Sequence, residues 1–149
     1  MKSKACFAAL LLSVLAAPVS AQVAEKALTQ NGITFISGGI GIDSQERLKA
    51  REGEFNLKLV FTLVEGNYLA GVTVSVKDAS GRTLIEHDAD GPFFLAKLPG
   101  GAYNVTAVYE GRSQVRKVAV RDGRLRTEYM RWPANPQGDF VLPRESAGK

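Results

Sequence analysis

Asp90-Gly91-Pro92-Phe93-Phe94-Leu95-Ala96-Lys97-Leu98-Pro99-Gly100-Gly101-Ala102-Tyr103-Asn104-Val105-Thr106-Ala107 is the stretch whose reading decides the fold. Its apolar residues fall at Phe93, Leu95 and Leu98, and again at Tyr103, Val105 and Ala107. A period of two marks a strand with a buried face. Between the runs, Pro99 fixes one backbone torsion and withholds an amide donor, while Gly100 and Gly101 adopt torsions that other residues resist. The segment predicts strand, tight turn, strand, in the manner of a hairpin.

Working outward, Phe55, Leu57, Leu59, Phe61 and Leu63 alternate with Asn56, Lys58 and Thr62 and form the longest strand signal in the chain. Val60 and Val64, on the other parity, predict that the second face of this strand is partly covered. Val72, Val74 and Val76 mark the next strand, with Thr73, Ser75 and Lys77 facing out. Gly66-Asn67 and Ala79-Ser80-Gly81 supply turns, and Thr83-Leu84-Ile85 a short strand. Downstream, Val118 and Val120 indicate a sixth strand, Asp122-Gly123 a hairpin turn and residues 125–130 a seventh. Seven short strands with turn signals about every ten residues predict an all-β fold, a seven-stranded antiparallel Greek-key β-sandwich over residues 54–132. Pro133, Asn135, Pro136 and Pro143 predict an extended or disordered tail over residues 133–149.

Residues 22–53 read as an N-terminal extension. Ile33-Thr34-Phe35-Ile36 suits a short strand, and Ser37-Gly38-Gly39-Ile40-Gly41 interrupts regular structure. Asp43-x-x-Glu46 has the spacing of a capping box, so Asp43 is expected to cap a helix over residues 44–52, with Gly53 at its exit. A glycine-rich turn entering a helix invites comparison with a phosphate cradle. Here the Gly-Lys-Ser/Thr ending is missing, and Asp43 places negative charge where a phosphate would sit. Gly38, Gly39 and Gly41 are therefore read as residues that bring Ile36, Ile40 and Leu48 onto the sandwich. The exposed side of this element, with Asp43, Arg47 and Arg51 beside the three glycines, is the candidate partner surface, with a simple covering of a sheet edge as the alternative.

The chain has 149 residues, 45% of them hydrophobic and 23% charged, which is enough apolar material for one domain and argues against wholesale disorder. Residues 1–21 read as an export signal: Lys2 and Lys4 make a positive start, residues 7–17 are apolar, and Val19-Ser20-Ala21 offers a cleavage site. Pro18 ends the apolar run well short of the roughly 20 residues a membrane anchor needs. The expectation is a periplasmic protein beginning at Gln22, with no transmembrane segment once the signal is removed. Cys6 leaves with the leader, so stability must come from packing without disulfides. Two of the 19 basic residues also leave, and the remainder nearly balance 15 acidic ones, which disfavours nucleic acid as a partner.

The spacing Gly91-x-Phe93-x-Leu95-x-x-Leu98-Pro99-x-Gly101-x-Tyr103-x-Val105 resembles that of carboxypeptidase regulatory-like domains, small transthyretin-type (prealbumin-like) β-sandwiches found in many exported bacterial proteins. The resemblance spans about residues 55–132. It implies the fold and leaves the function open, because this sandwich serves enzymes, carriers and passive modules alike. The hydroxyisourate hydrolases of this fold use several histidines, an arginine and a Tyr-Arg-Gly-Ser ending. This sequence has one histidine, His87, and ends Glu145-Ser146-Ala147-Gly148-Lys149.

His87 with Asp88 or Asp90 could contribute to a Ser-His-Asp set, but no serine lies in a nucleophile elbow, and His87 reads as a surface residue on a turn. Asp78, Asp88 and Asp90 lack the spacing of a calcium loop, and no ligand set for zinc stands out, so no metal or cofactor is expected. Arg112, Arg116, Lys117, Arg121, Arg124, Arg126 and Arg131 load the last two strands with positive charge. On one hairpin they would form a basic stripe for an anionic surface, or serve to protect a sheet edge. The expectation is a non-enzymatic binding module whose partner is another envelope protein, with a carrier or sensor for a small anionic or carbohydrate ligand as the alternative.

Overall fold

The computed structural model describes residues 24–134; the expected leader, and the tail from residue 135 onward, lie outside the described residues. The chain runs β1 (Leu28–Gln30), β2 (Ile33–Gly38), α1 (Ile42–Ala50), a 3-10 turn (Glu52–Glu54), β3 (Leu57–Leu63), β4 (Thr73–Asp78), β5 (Thr83–Asp88), β6 (Phe93–Lys97), β7 (Gly101–Tyr109), β8 (Arg112–Val120) and β9 (Arg126–Trp132). Five strands form one sheet in the order β1-β2-β6-β3-β9, and four form the other in the order β5-β4-β7-β8. The all-β, two-sheet architecture is as expected.

One core lies between the sheets. Leu57, Leu59, Phe61 and Leu63 of β3, Phe94 and Ala96 of β6, and Met130 and Trp132 of β9 line one wall. Val74, Val76, Ile85, Tyr103, Val105, Ala107, Val118 and Val120 line the other. Thr73 and Ser75 of β4 are half-buried and Lys77 exposed on the outer face of the four-stranded sheet, as the alternation predicts. The outer face of the five-stranded sheet is different. Ile36, Val60, Phe93 and Leu95 form a second cluster there, closed by Leu48 of α1 and by Phe55. Val60 thus marks a covered second face, whereas Val64 is exposed.

The strand count and the pairing need correction. Among the described residues there are nine strands, because β1 and β2 belong to the five-stranded sheet: the region of residues 22–53, read as an extension ahead of the sandwich, supplies its β2·β6 ladder, which runs antiparallel from Thr34↔Lys97 to Gly38↔Phe93. Nor is every pair antiparallel, since β9 runs parallel to β3 from Leu57↔Arg126 to Leu63↔Trp132. Neither expected hairpin forms. β6 and β7 lie in different sheets, so Pro99-Gly100-Gly101 carries the chain across the core, with the Tyr103 hydroxyl donating to the Pro99 carbonyl at this corner. Asp122-Gly123 likewise leads from β8 to the opposite sheet. The physical reason is the same at both corners. Each flanking strand has an apolar face, and burial is greater when the two faces meet across a core than when the strands lie side by side.

Asn56 extends the central ladder beyond the strand ends. Its side chain is buried, donates to the Leu98 carbonyl (2.7 Å) and accepts from the Leu98 amide (2.9 Å), while its own amide bonds the Ala96 carbonyl. A side-chain amide is the neutral group able to donate and accept in this way at one backbone residue. Asn56→Asp keeps the shape and removes the donor, and should cost about 1–3 kcal/mol in urea unfolding by leaving buried groups unsatisfied. Leu59→Ala and Tyr103→Ala should cost about 2–5 kcal/mol. Val115→Ala, at a side chain on the open face, should stay within about 0.5 kcal/mol.

Candidate functional site

The densest set of polar contacts lies where the end of β2, the start of α1 and the segment preceding β1 meet. Gly39 has φ +99, and a Cβ there would lie 2.5 Å from the Phe93 ring. At Gly91 a Cβ would lie 2.4 Å from the Gly38 carbonyl oxygen. This contact of backbone on backbone fixes the direction in which the turn leaves the sheet. The Gly39 amide then donates to Ser44 Oγ (2.8 Å), and Gln45 Nε2 donates to the Gly39 carbonyl (3.1 Å). The helix begins two residues earlier than expected, at Ile42, with Gly41 in the cap position and no side-chain cap bond. Asp43 is therefore a first-turn residue and not the cap. Ser44 and Gln45 tie the turn to the helix instead.

Glu25 closes this arrangement. Its carboxylate accepts from Ser44 Oγ and from Arg47 Nε (3.1 Å) and Nη2 (3.0 Å), and Arg51 Nη1 donates to its carbonyl (3.3 Å). The Arg47 guanidinium, with smaller help from Ser44, holds the Glu25 carboxyl at about 2, below the ordinary 4.5, against the opposing effect of burial. Beside this clamp is a groove of about 520 Å³, whose lining includes Glu25, Leu28, Ser37, Ile40, Arg47 and Asp90.

Ser37, His87 and Asp90 meet at the inner edge of the same region. His87 lies on β5 facing inward, half-buried with its ring 5.1 Å from that of Phe35, and not on a surface turn. Ser37 Oγ donates to Asp90 Oδ2 (2.9 Å), accepts from the Asp90 amide (3.0 Å) and lies 3.1 Å from His87 Nε2. Asp90 also stands 3.5 Å from this same Nε2 and does not hold Nδ1. In a nucleophile relay the imidazole accepts from serine and the carboxylate orients the opposite ring nitrogen. The order here is different, and the three residues interlock the sheets.

The sequence-selected residues are placed unevenly. Gly38 and Gly39 are buried, Gly41 and Asp43 are exposed, Arg47 pairs with Glu25, and Arg51 pairs with Glu54 (2.8 Å). Ile36 and Leu48 reach the core as expected, but Ile40 is 66% exposed, and Ile42 beside it 74%. The basic residues do not form one stripe, because β8 and β9 are edges of different sheets. Arg112 and Gln114 of β8 donate to the carbonyls of Pro133 and Arg131, and Trp132 Nε1 donates to the Arg112 carbonyl (3.0 Å). Arg116 bonds the neighbouring Val115 and Gln114, Lys117 is exposed on the outer face, and Arg126 binds Glu128. Arg121 and Arg124 line a separate cleft with Arg126. Among the described residues no group of three or more His, Cys, Asp or Glu side chains is placed to hold a metal ion, and no helix is long and apolar enough to cross a membrane. Glu25, Ser37, Ser44 and Asn56 were not selected from sequence as site residues, since their partners lie five to 53 positions away with no periodic signal.

No protein-family model matches the chain, and no curated protein was found to be similar to it.

Two outcomes test the clamp. Gly39→Val should unfold the turn, because both its torsion and the Phe93 ring oppose a side chain. Glu25→Gln should melt at a lower temperature than the parent at pH 7. Since the folded pKa is depressed, the stabilisation is present above about 4.5 and is lost as pH falls toward about 2, so the gap in melting temperature should close across that window.

Proposed function

We propose that the chain is an exported, periplasmic, non-enzymatic binding module of the cell envelope that docks another envelope protein. The observation carrying this reading is the pair Ile40 and Ile42, two large apolar side chains set in solvent where a turn, its path fixed by glycine contacts, enters α1. Scattered exposed apolar residues need no explanation, but two at one rigid corner beside a groove are the pattern of a partner anchor. The partner surface is accordingly centred on Ile40, Gly41, Ile42 and Asp43. Arg47 and Arg51 act behind it, holding the N-terminal segment in place.

The non-enzymatic part of the proposal is supported by the arrangement of Ser37, His87 and Asp90, in which the serine hydroxyl lies against the Asp90 carboxylate and amide and that carboxylate stands at the same imidazole nitrogen as the serine. Export is supported by the composition of residues 1–21. Kinship with carboxypeptidase regulatory-like, prealbumin-like domains belongs to the same proposal and rests on the spacing from Gly91 to Val105. A second reading, a carrier or sensor for a small anionic or carbohydrate ligand, has one observation in its favour, the arginine-lined cleft between β8 and β9.

Photo-crosslinking in intact cells from positions 40 and 42 should yield one defined envelope protein. Ile40→Asp with Ile42→Asp should reduce its capture at least tenfold without changing the melting temperature. Val64→Asp, at another exposed apolar side chain, should leave capture unchanged. Equal capture by all variants, or a product in the cytoplasm retaining Lys2 and Lys4, overturns the reading.

A further inference from the structure

The connection between β8 and β9 has charge that the fold does not use. Arg121, Arg124 and Arg126 line an open cleft of about 450 Å³ together with Ala119, Leu125 and Thr127, and none of the acidic residues among the described ones contributes to its wall. Asp122, in the same turn, instead lines the clefts beside Lys97. The guanidinium groups of Arg121 and Arg124 have no ion pair or side-chain hydrogen bond among the described residues. Arg126 spends Nε and Nη2 on a single oxygen of Glu128 (2.8 and 2.6 Å). Arg121 and Arg124 thus bring two uncompensated like charges to one cleft, and these repel one another unless an anion joins them.

Edge protection explains the neighbouring basic residues but not these. Arg116 and Lys117 lie along the β8 ladder, where charge discourages pairing with another chain. Arg121 and Arg124 lie beyond it, joined only by an isolated bridge. The site is also held in place. The Arg126 amide bonds the Asn56 carbonyl (2.9 Å), and Leu125 packs on the cluster that contains Leu48 and Phe55. Its arginines therefore project from anchored backbone.

We propose that this cleft binds a phosphate monoester. Guanidinium forks match phosphate oxygens in pairs. Two uncompensated arginines, with the Glu128-paired Arg126 beside them, suit a group with three terminal oxygens and a charge approaching two near neutral pH better than they suit one carboxylate. The volume exceeds that of a bare phosphate and lies within the roughly 300–1,000 Å³ of small-ligand sites, leaving room for the esterified group. This site lies at the β9 edge of the five-stranded sheet, the edge opposite the Ile40 corner, so it does not depend on the protein-partner reading. It gives the carrier reading its ligand class.

The probes are glycerol 3-phosphate in titration calorimetry at low salt, and vesicles containing phosphatidic acid against vesicles of phosphatidylcholine alone in a flotation assay. Arg121→Gln with Arg124→Gln should weaken binding at least tenfold at an unchanged melting temperature. Arg116→Gln with Lys117→Gln, the same change in net charge, should stay within twofold of the parent. Binding should weaken between pH 7 and pH 5 as the monoester takes up its second proton. Binding of glycerol 3-phosphate assigns a soluble source, and binding confined to phosphatidic acid vesicles assigns a lipid-borne one. No binding of either at millimolar concentration, or equal losses in the two double variants, overturns the proposal. The Ile40 and Ile42 variants should bind the monoester normally, so failure of the partner reading and failure of this one are separable.

Discussion

β6 has no free face, and much of the molecule follows from that. Phe94 and Ala96 point into the core between the sheets, and Phe93 and Leu95 point the other way. A strand apolar on both faces needs two layers against it. One is the four-stranded sheet; the other is α1 with Phe55. The helix contributes only Leu48 as a large buried side chain, too little to dock it by apolar burial alone. Its position is secured by polar bonds: Ser44 and Gln45 to Gly39, and Arg47 to Glu25. Phe93 in turn requires glycine at position 39.

The two sheets are also joined along both open sides by side chains that bond to backbone. On one side the Gln30 amide exchanges two hydrogen bonds with Glu86, and Asn31 donates to the Leu84 carbonyl. On the other, Arg112, Gln114 and Trp132 bridge the ends of β8 and β9. Each side chain satisfies backbone groups at an edge that would otherwise face water or another chain. Part of the charge on the last strands is therefore structural, while Arg121 and Arg124 stand outside this scheme.

What the sequence revealed follows from what each signal encodes. Alternation reports which way a side chain faces, and it placed Leu57 to Leu63, Val72 to Val76 and Tyr103 to Ala107 correctly with respect to the core. It does not report which strand lies alongside. A proline and two glycines between alternating runs look the same whether the strands pair or cross a core, so Pro99-Gly100-Gly101 was read as a hairpin. The parallel β3·β9 pair has no local signature, because its residues are about 70 positions apart. The glycine-rich turn was legible as a conformational element, and Ile36 and Leu48 followed it inward. Ile40 did not, since three glycines in five positions leave side-chain direction undetermined until Phe93 and Gly91 fix the path. Glu25 was hidden in an unpatterned segment, and its importance depends wholly on Ser44 and Arg47.

The position of β9 has a kinetic side. The strand that pairs with β3 and brings in Trp132 is the last of the described strands, so the five-stranded sheet cannot be completed until nearly all of the described polypeptide is available. Until then β3 presents an unpaired, strongly apolar edge, and the core lacks Met130 and Trp132. Closing so long a loop late in assembly is slow compared with forming the β7·β8 hairpin, whose turn is two residues long. The most vulnerable moment for this protein is therefore a nearly finished molecule with one open seam, and a chain truncated before Arg126 would remain at that stage, prone to self-association through β3.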